Sequence, residues 1–216
     1  NMKKTQKKIV NTAINLFNKR GVGNVRLQDI AEQAEISQGN ISYHYKTKKD
    51  LMEAVLSYMK TERAEVKSTM QSLIVTTDVV GIITNYLRLQ IGCRFFFRDI
   101  LEIINLVPSA KKHFEKQIDD VINFNKKAIN LSIQKGFMIK EPHEGHYNLF
   151  VQNVWAILHS WLTKREVLGN RKVSLDDAVL AVLEMHFLYL TKKGKGLYYD
   201  WKEQIPKMVQ GKFIII

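Results

Sequence analysis

The 216-residue sequence predicts an all-α protein in which a small basic module precedes a larger helical domain. Three observations carry that prediction. Apolar residues recur at helical spacing along nearly the whole chain, and no strand-length alternation stands out except Phe213-Ile214-Ile215-Ile216. Hydroxyl caps and glycine stops punctuate the apolar runs. The charge is uneven: 33 Lys+Arg against 21 Asp+Glu give +12, and residues 1–60 hold 11 and 5 of these. Half of the positive excess therefore sits on little more than a quarter of the chain.

The elements follow in order. Residues 3–20 place Ile9, Val10, Ala13, Ile14, Leu16 and Phe17 on one helical face with lysines opposite, and Gly21 and Gly23 stop that helix. A short helix over 27–34 turns Leu27, Ile30, Ala31 and Ala34 inward. Glu35-Ile36-Ser37 breaks the chain, and Ser37 caps a second short helix over 38–44. Thr47 caps a long helix that starts at Lys48, carries Leu51, Ala54, Val55 and Tyr58 on one face, and extends to about residue 72. Long helices are expected near 78–106, 109–135, 144–165 and 174–193, with breaks at Pro108, Gly136 and Gly169-Asn170. Ser174 with Asp177 makes a capping box for the last of these. A short amphipathic segment over 197–209 carries Tyr198, Tyr199 and Trp201.

Composition excludes several function classes. With 45% hydrophobic and 25% charged residues the chain is of globular type. Its single cysteine, Cys93, excludes an internal disulfide framework and a cysteine-based zinc site, and fits a reducing cytoplasm. Asn1 before Met2 reads as a remnant of expression, and no signal-peptide core follows the lysines at 3, 4, 7 and 8. The most apolar stretch, Leu149 to Leu162, falls short of the roughly 20 apolar residues that span a bilayer. No triad order, paired-carboxylate signature, phosphate loop or HExxH motif points to an enzyme, and no cofactor is expected. The +12 favours a polyanion, either nucleic acid or an anionic membrane surface. The membrane alternative is a basic interaction module with no DNA operator, in which Lys3, Lys4, Lys7 and Lys8 flank Ile9 and Ile14 on an interfacial helix.

Two short helices joined by a tight break inside a basic module outline a helix-turn-helix. Ala31 is small where the second helix crosses the first, Ile36 fills the angle, and Ile41 anchors the second helix inward. Its opposite face then shows Gln38, Gly39, Asn40, Ser42, Tyr43 and His44. Gln38 and Asn40 can read base edges, Tyr43 can meet a thymine methyl or a phosphate, and Gly39 admits a close backbone approach. Lys46, Lys48 and Lys49 follow beside the N–H groups that open the next helix, the composition of a phosphate clamp.

At this point residues 9–59 resemble the DNA-binding domain of TetR/AcrR-type bacterial transcription regulators. The similarity is carried by Ile30-Ala31-Glu32-Gln33-Ala34, Ile36-Ser37-Gln38-Gly39-Asn40-Ile41 and Tyr43-His44-Tyr45-Lys46-Thr47-Lys48-Lys49-Asp50-Leu51, with Ala13, Leu16-Phe17 and Gly21 upstream. Gly39-Asn40 and Tyr43-His44-Tyr45-Lys46-Thr47-Lys48 are especially similar to the QacR branch. The resemblance implies a homodimeric repressor, with an N-terminal helix-turn-helix domain over 1–47 and a C-terminal ligand-binding and dimerisation domain over 48–216. It also implies a near-palindromic operator and release by a small-molecule effector. Three positions depart from the family pattern. Val25-Arg26 replaces a hydroxyl cap, so Arg26 is free to meet a phosphate. Glu35 replaces a turn glycine, which strains the backbone if that turn needs positive φ. Ser42 replaces a tyrosine, which weakens one phosphate contact.

In the larger domain, a continuous helix would align Ile83, Tyr86, Gln90, Arg94 and Phe97 on one face, where a polar pair among aromatics can line a ligand pocket. The alternative for Arg94 is an ion pair with Glu102 or a neighbouring helix. Trp155 and His159 are further pocket candidates, with packing or dimer contact as the alternative. His143 and His146 with Glu141 and Glu144 have metal-like spacing but read as a solvated helix start, so no metal site is expected. Helices 144–165 and 174–193 resemble the family's dimer-forming pair, and the second carries Ala178, Val179, Val182, Leu183, Met185, His186, Leu188 and Tyr189 on its apolar face, with burial within one chain as the alternative.

Overall fold

A computed structural model describes residues 2–60, 79–168 and 174–209, and within them the chain is all-helical. The helices are α1 (Lys4–Arg20), α2 (Leu27–Gln33), α3 (Gln38–His44), α4 (described over 48–60), α5 (Val79–Gly92), α6 (Arg94–Arg98), α7 (Ile100–Leu106), α8 (Ala110–Gln134), α9 (His146–Leu168), α10 (Leu175–Phe187) and α11 (Lys192–Val209). The extension of α4 to residue 72 and the terminal Phe213–Ile216 segment lie outside the described residues. Two compact units form. One joins α1–α4 to Gly92–Glu115, and the other takes α5 up to Ile91, α8 from Lys116, and α9–α11.

In the first unit, α1 buries Ile9, Val10, Ala13, Ile14, Leu16 and Phe17, the face expected from its spacing. It ends at Gly21, where φ is 83° and the N–H closes onto the Phe17 carbonyl at 2.9 Å. α2 lacks a hydroxyl cap, and its place is taken from below: the Arg26 N–H donates to Asp29 Oδ2 at 2.7 Å. In the α2–α3 turn Glu35 adopts φ 51°, so the left-handed position expected of a glycine is occupied by a side-chain-bearing residue. Ser37 Oγ accepts the Asn40 N–H at 3.1 Å and starts α3. Thr47 and Asp50 cap α4 reciprocally, at 2.9 and 3.1 Å. The buried stripe of α4 is Leu51, Met52, Val55 and Met59, rotated from the expected one, and leaves Ala54 and Tyr58 half-buried.

The expected helix over 78–106 is three helices. Cys93 leaves helical geometry at φ −125°, ψ 46°, and Asp99 does so at φ −104°, ψ 28°. The first break has a clear cause. Asn18 Nδ2 donates to the Gly92 carbonyl at 2.7 Å, and Asn18 Oδ1 accepts the Phe95 N–H at 3.2 Å. A side chain of α1 thus takes up backbone groups that a continuous helix would pair with itself. Phe95, Phe96 and Phe97 are all buried; Phe95 meets Phe17 at 5.5 Å between ring centroids, and Phe96 meets Phe114 at 4.6 Å. Each ring so buried contributes about 1.5–3 kcal/mol.

In the second unit, Ser174 and Asp177 form the expected capping box, at 2.9 and 3.2 Å. The helix expected over 174–193 stops at Phe187 because the chain beyond pairs with another segment. The Ile139 N–H donates to the Tyr189 carbonyl at 2.9 Å, and the Thr191 N–H to that of Phe137 at 3.0 Å, around an isolated Met138–Leu190 bridge. Leu188, expected on the apolar face, is 78% exposed. Thr191 Oγ1 then accepts the Gly194 N–H at 3.1 Å and opens α11 earlier than expected.

Candidate nucleic-acid interface

α3 buries one side and exposes the rest. Ile41 is 1% exposed, and Tyr45 just beyond the helix is also buried. Gln38, Gly39, Asn40, Ser42 and Tyr43 are exposed, Tyr43 at 82%, and His44 is half-exposed. The Tyr43 ring stands edge-on to His44 at 5.1 Å. A Cβ built on Gly39 meets only Ser37 Oγ, at 3.9 Å, so nothing in the fold requires glycine there. The exposed side of α3 is therefore uncharged and rich in donors and acceptors.

The cations around it divide into two kinds. Lys46 and Lys49 are exposed, as is Arg26 at the start of α2. Lys48 is half-buried, and its ammonium donates to the Val22 carbonyl in the α1–α2 turn. Burial pushes its pKa down, against the attraction of Glu102 and Asp29. The clamp read from the sequence as three equivalent lysines is thus two exposed ones and one turned inward. Sequence reasoning missed this bond because Val22 is 26 residues away and contributes only a backbone carbonyl. A polar concavity of about 240 Å³, lined by Arg20, Asp29, Glu32, Gln33 and Glu35, holds three carboxylates against one guanidinium, the wrong sign for phosphate.

The ligand candidates do not share one helix face. Tyr86 and Gln90 lie on α5 in the second unit, whereas Arg94 and Phe97 lie on α6, past the Cys93 break, in the first. Tyr86 and Phe97 are each 7% exposed, and the buried Nε of Arg94 has no hydrogen-bond partner among the described residues. Gln90 is fully buried, and neither atom of its carboxamide has a partner among the described residues. Trp155 and His159, both half-buried on α9, stack at 5.0 Å with 19° between ring planes. Burial lowers the pKa of His159.

His143 Nε2 and His146 Nδ1 lie 3.2 Å apart, and Glu141 is engaged with the Tyr147 N–H at 2.9 Å. Among the described residues no group of three His, Cys, Asp or Glu side chains can hold a metal ion, and no helix is long and apolar enough to cross a membrane. The interfacial-helix alternative fails on α1: Ile9 and Ile14, its apolar wedge, are 0% and 1% exposed within the first unit.

Comparison with known proteins agrees with this geometry. Residues 9–55 match the tetR family of bacterial regulatory proteins, and residues 49–198 match TetR, bacterial transcriptional repressor. The chain is 30% identical over 107 residues to the probable HTH-type transcriptional regulator YttP of Bacillus subtilis (strain 168), across 44% of this chain and 50% of YttP. It is 24% identical over 195 residues to the uncharacterized HTH-type transcriptional regulator YerO of the same strain, across 85% of this chain and 63% of YerO. The chain thus spans about half the length of the first relative and less than two thirds of the second. A TetR-family transcriptional regulator from Marinobacter aquaeolei VT8 has the same fold, with a TM-score of 0.76 at 18% identity over 94% of this chain and 99% of that one. SmeT in complex with triclosan follows at a TM-score of 0.57 and 17% identity, over 88% and 93%. With a family match from residue 49 to residue 198 and a helix-turn-helix match in front of it, the chain belongs to the TetR family of bacterial transcriptional regulators.

Proposed function

We propose that the chain is a cytoplasmic repressor that binds a near-palindromic operator as a homodimer and is released by a small-molecule effector. The observation that carries the reading is α3, whose whole outer side is uncharged, polar and exposed, with Lys46 and Lys49 beside it. In this reading Gln38 and Asn40 read base edges, Tyr43, His44 and Ser42 contact bases or backbone, and Arg26, Lys46 and Lys48 meet phosphates. Gly39 has open space around it, which supports a partner approaching from outside. Residues 1–47 carry DNA binding, and 48–216 carry ligand binding and dimerisation. Within the family, the similarity of residues 39–48 to the QacR branch favours that branch.

Two features of the second unit support the rest. SmeT, whose fold this chain shares, forms a complex with triclosan. A buried carboxamide with no partner among the described residues, Gln90, is a group that a ligand donor and acceptor can satisfy, with Tyr86, Trp155 and His159 as further candidates in the same unit. On α9 and just past the end of α10, the exposed apolar residues Leu149, Val167 and Leu188, at 59%, 77% and 78%, favour a dimer surface. A dimer carries twice +12, so non-specific attraction to DNA is strong and operator choice falls to α3.

The test is selection of duplexes by the full chain from a randomised library, followed by titration. A near-palindromic consensus is expected, and Gly39→Ala is expected to weaken binding to it at least about tenfold without loss of thermal stability. Failure to enrich any sequence would defeat the reading.

A further inference from the structure

His143 and His146 meet at the start of α9, and their partners fix which nitrogen carries each proton. His143 Nδ1 lies 3.3 Å from the Glu144 carbonyl. A carbonyl only accepts, so this nitrogen is the protonated one, and Nε2 of the neutral ring is a lone pair. That lone pair lies 3.2 Å from His146 Nδ1, which is therefore the donor. His146 Nε2 is then a lone pair as well, buried and without a hydrogen-bond partner among the described residues. Donation runs one way, from His146 through His143 to the Glu144 carbonyl.

The two rings differ in what one more proton would do. His146 is half-buried against Tyr189 at 5.0 Å and Tyr147 at 5.6 Å, so a proton on its Nε2 makes a buried cationic N–H with no acceptor. His143 is exposed. A proton on its Nε2 sets one N–H against another, and the ring relieves this by turning into solvent. The extra proton therefore goes to His143 and breaks the 3.2 Å bond. The charged and titratable groups around the pair are Lys140, Glu141 and Glu144 in the α8–α9 connection, Tyr147 on α9, and Tyr189 beyond α10, with His186 across the Phe150 ring. Glu141 accepts the Tyr147 N–H at 2.9 Å and the Tyr147 hydroxyl donates to the Ile139 carbonyl at 2.9 Å, and neither pairs with His146 Nε2.

We propose that the His143–His146 pair is a proton-operated latch on the start of α9, closed while each ring holds one proton and opened when His143 takes a second. Closed, it holds the connection before α9 to a ring that also touches Tyr189, past the end of α10. Opening is local and costs the whole fold little, because the ring that leaves is already exposed. The latch does not depend on the DNA-binding reading.

Two measurements on the full chain test it. Nitrogen NMR of the imidazoles at about pH 8 is expected to find both rings protonated on Nδ1. Either ring protonated on Nε2 instead overturns the proposal. Amide exchange at His146 and Tyr147, corrected for the intrinsic rate, is then followed from about pH 8 to about pH 5.5, across the ordinary imidazole range. Protection is expected to fall about threefold to tenfold over that interval in the wild type. His143→Gln keeps an acceptor for His146 and cannot titrate, so it is expected to stay protected throughout. His143→Ala removes the acceptor and is expected to be weakly protected at both ends. A wild-type protection that does not change with pH overturns the proposal, as does a fall in His143→Gln equal to that of the wild type.

Discussion

Asn18 and Gly92 lie 74 residues apart in sequence, and the side-chain amide of the first donates to the carbonyl of the second at 2.7 Å. The same amide accepts the Phe95 N–H through its oxygen at 3.2 Å. One neutral side chain therefore ends α5 and starts α6, and a hydroxyl or carboxylate cannot serve both groups with that geometry. Asn18→Ala leaves a carbonyl and an N–H partly buried without partners, at a cost of about 1–3 kcal/mol. The midpoint of urea denaturation should fall accordingly at constant m-value. Asn18→Asp should be no better, because a carboxylate repels the Gly92 carbonyl while still accepting from Phe95.

Glu35 carries the opposite kind of defect. Its φ of 51° places a Cβ where the backbone favours glycine. The side chain is exposed and its carboxylate caps nothing among the described hydrogen bonds, so nothing offsets the strain locally. Glu35→Gly should raise stability by about 0.5–1 kcal/mol, the relief of the left-handed conformation less the extra chain entropy of glycine. The same urea titration reads it, and a loss of stability would show that the carboxylate has an unrecognised partner.

What was legible in the sequence and what was not divide along a physical line. Caps are local: Ser37, Thr47 with Asp50, and Ser174 with Asp177 act within four residues, and all three start the helices they were expected to start. So does the glycine stop at Gly21, and so does the inward anchor Ile41, because a helical period of 3.6 fixes its side. The break at Cys93 was not legible. Residues 78–106 hold no proline and keep an apolar period throughout, and the break comes from Asn18. The end of α10 at Phe187 was hidden for the same reason, since its cause is pairing with Phe137 and Ile139. Lys48 illustrates the limit for the site: its residue type suits a phosphate, and its bond to the Val22 carbonyl, 26 residues away, follows from no local pattern.

Gln90 offers a test of why a polar residue sits in a dry place. The residue is 0% exposed, with Oε1 and Nε2 both unpartnered among the described residues. Burial of an unpaired amide costs about 1–3 kcal/mol, and an apolar side chain of similar size avoids that cost. Gln90→Leu should therefore stabilise the ligand-free protein, raising the thermal midpoint by a few degrees. If the residue is kept for an effector, the stabilised variant should also lose release from the operator duplex. Stabilisation with unaltered release would remove Gln90 from the ligand site.

His186 sets an expectation for pH. Its ring packs edge-on against Phe150 at 4.8 Å, and Nδ1 donates to the Val182 carbonyl at 2.7 Å, which fixes the neutral tautomer with the proton on Nδ1. Burial lowers its pKa from the ordinary value of 6.5, and the Val182 bond offsets that only in part. The unfolded chain accordingly binds a proton at this residue more readily than the folded one. The stability it permits is fully present above about pH 6.5, and it declines as pH falls from there through the depressed folded value. His159, lowered in the same direction by burial, adds to the same trend. Asn at position 186 keeps a donor for Val182 and cannot titrate. His186→Asn should flatten the loss of urea midpoint between about pH 7 and pH 5.5, leaving the smaller part due to His159. An unchanged pH profile would mean that the ring takes up a proton as readily in the folded chain as in the unfolded one, and that Phe150 does not exclude water from it.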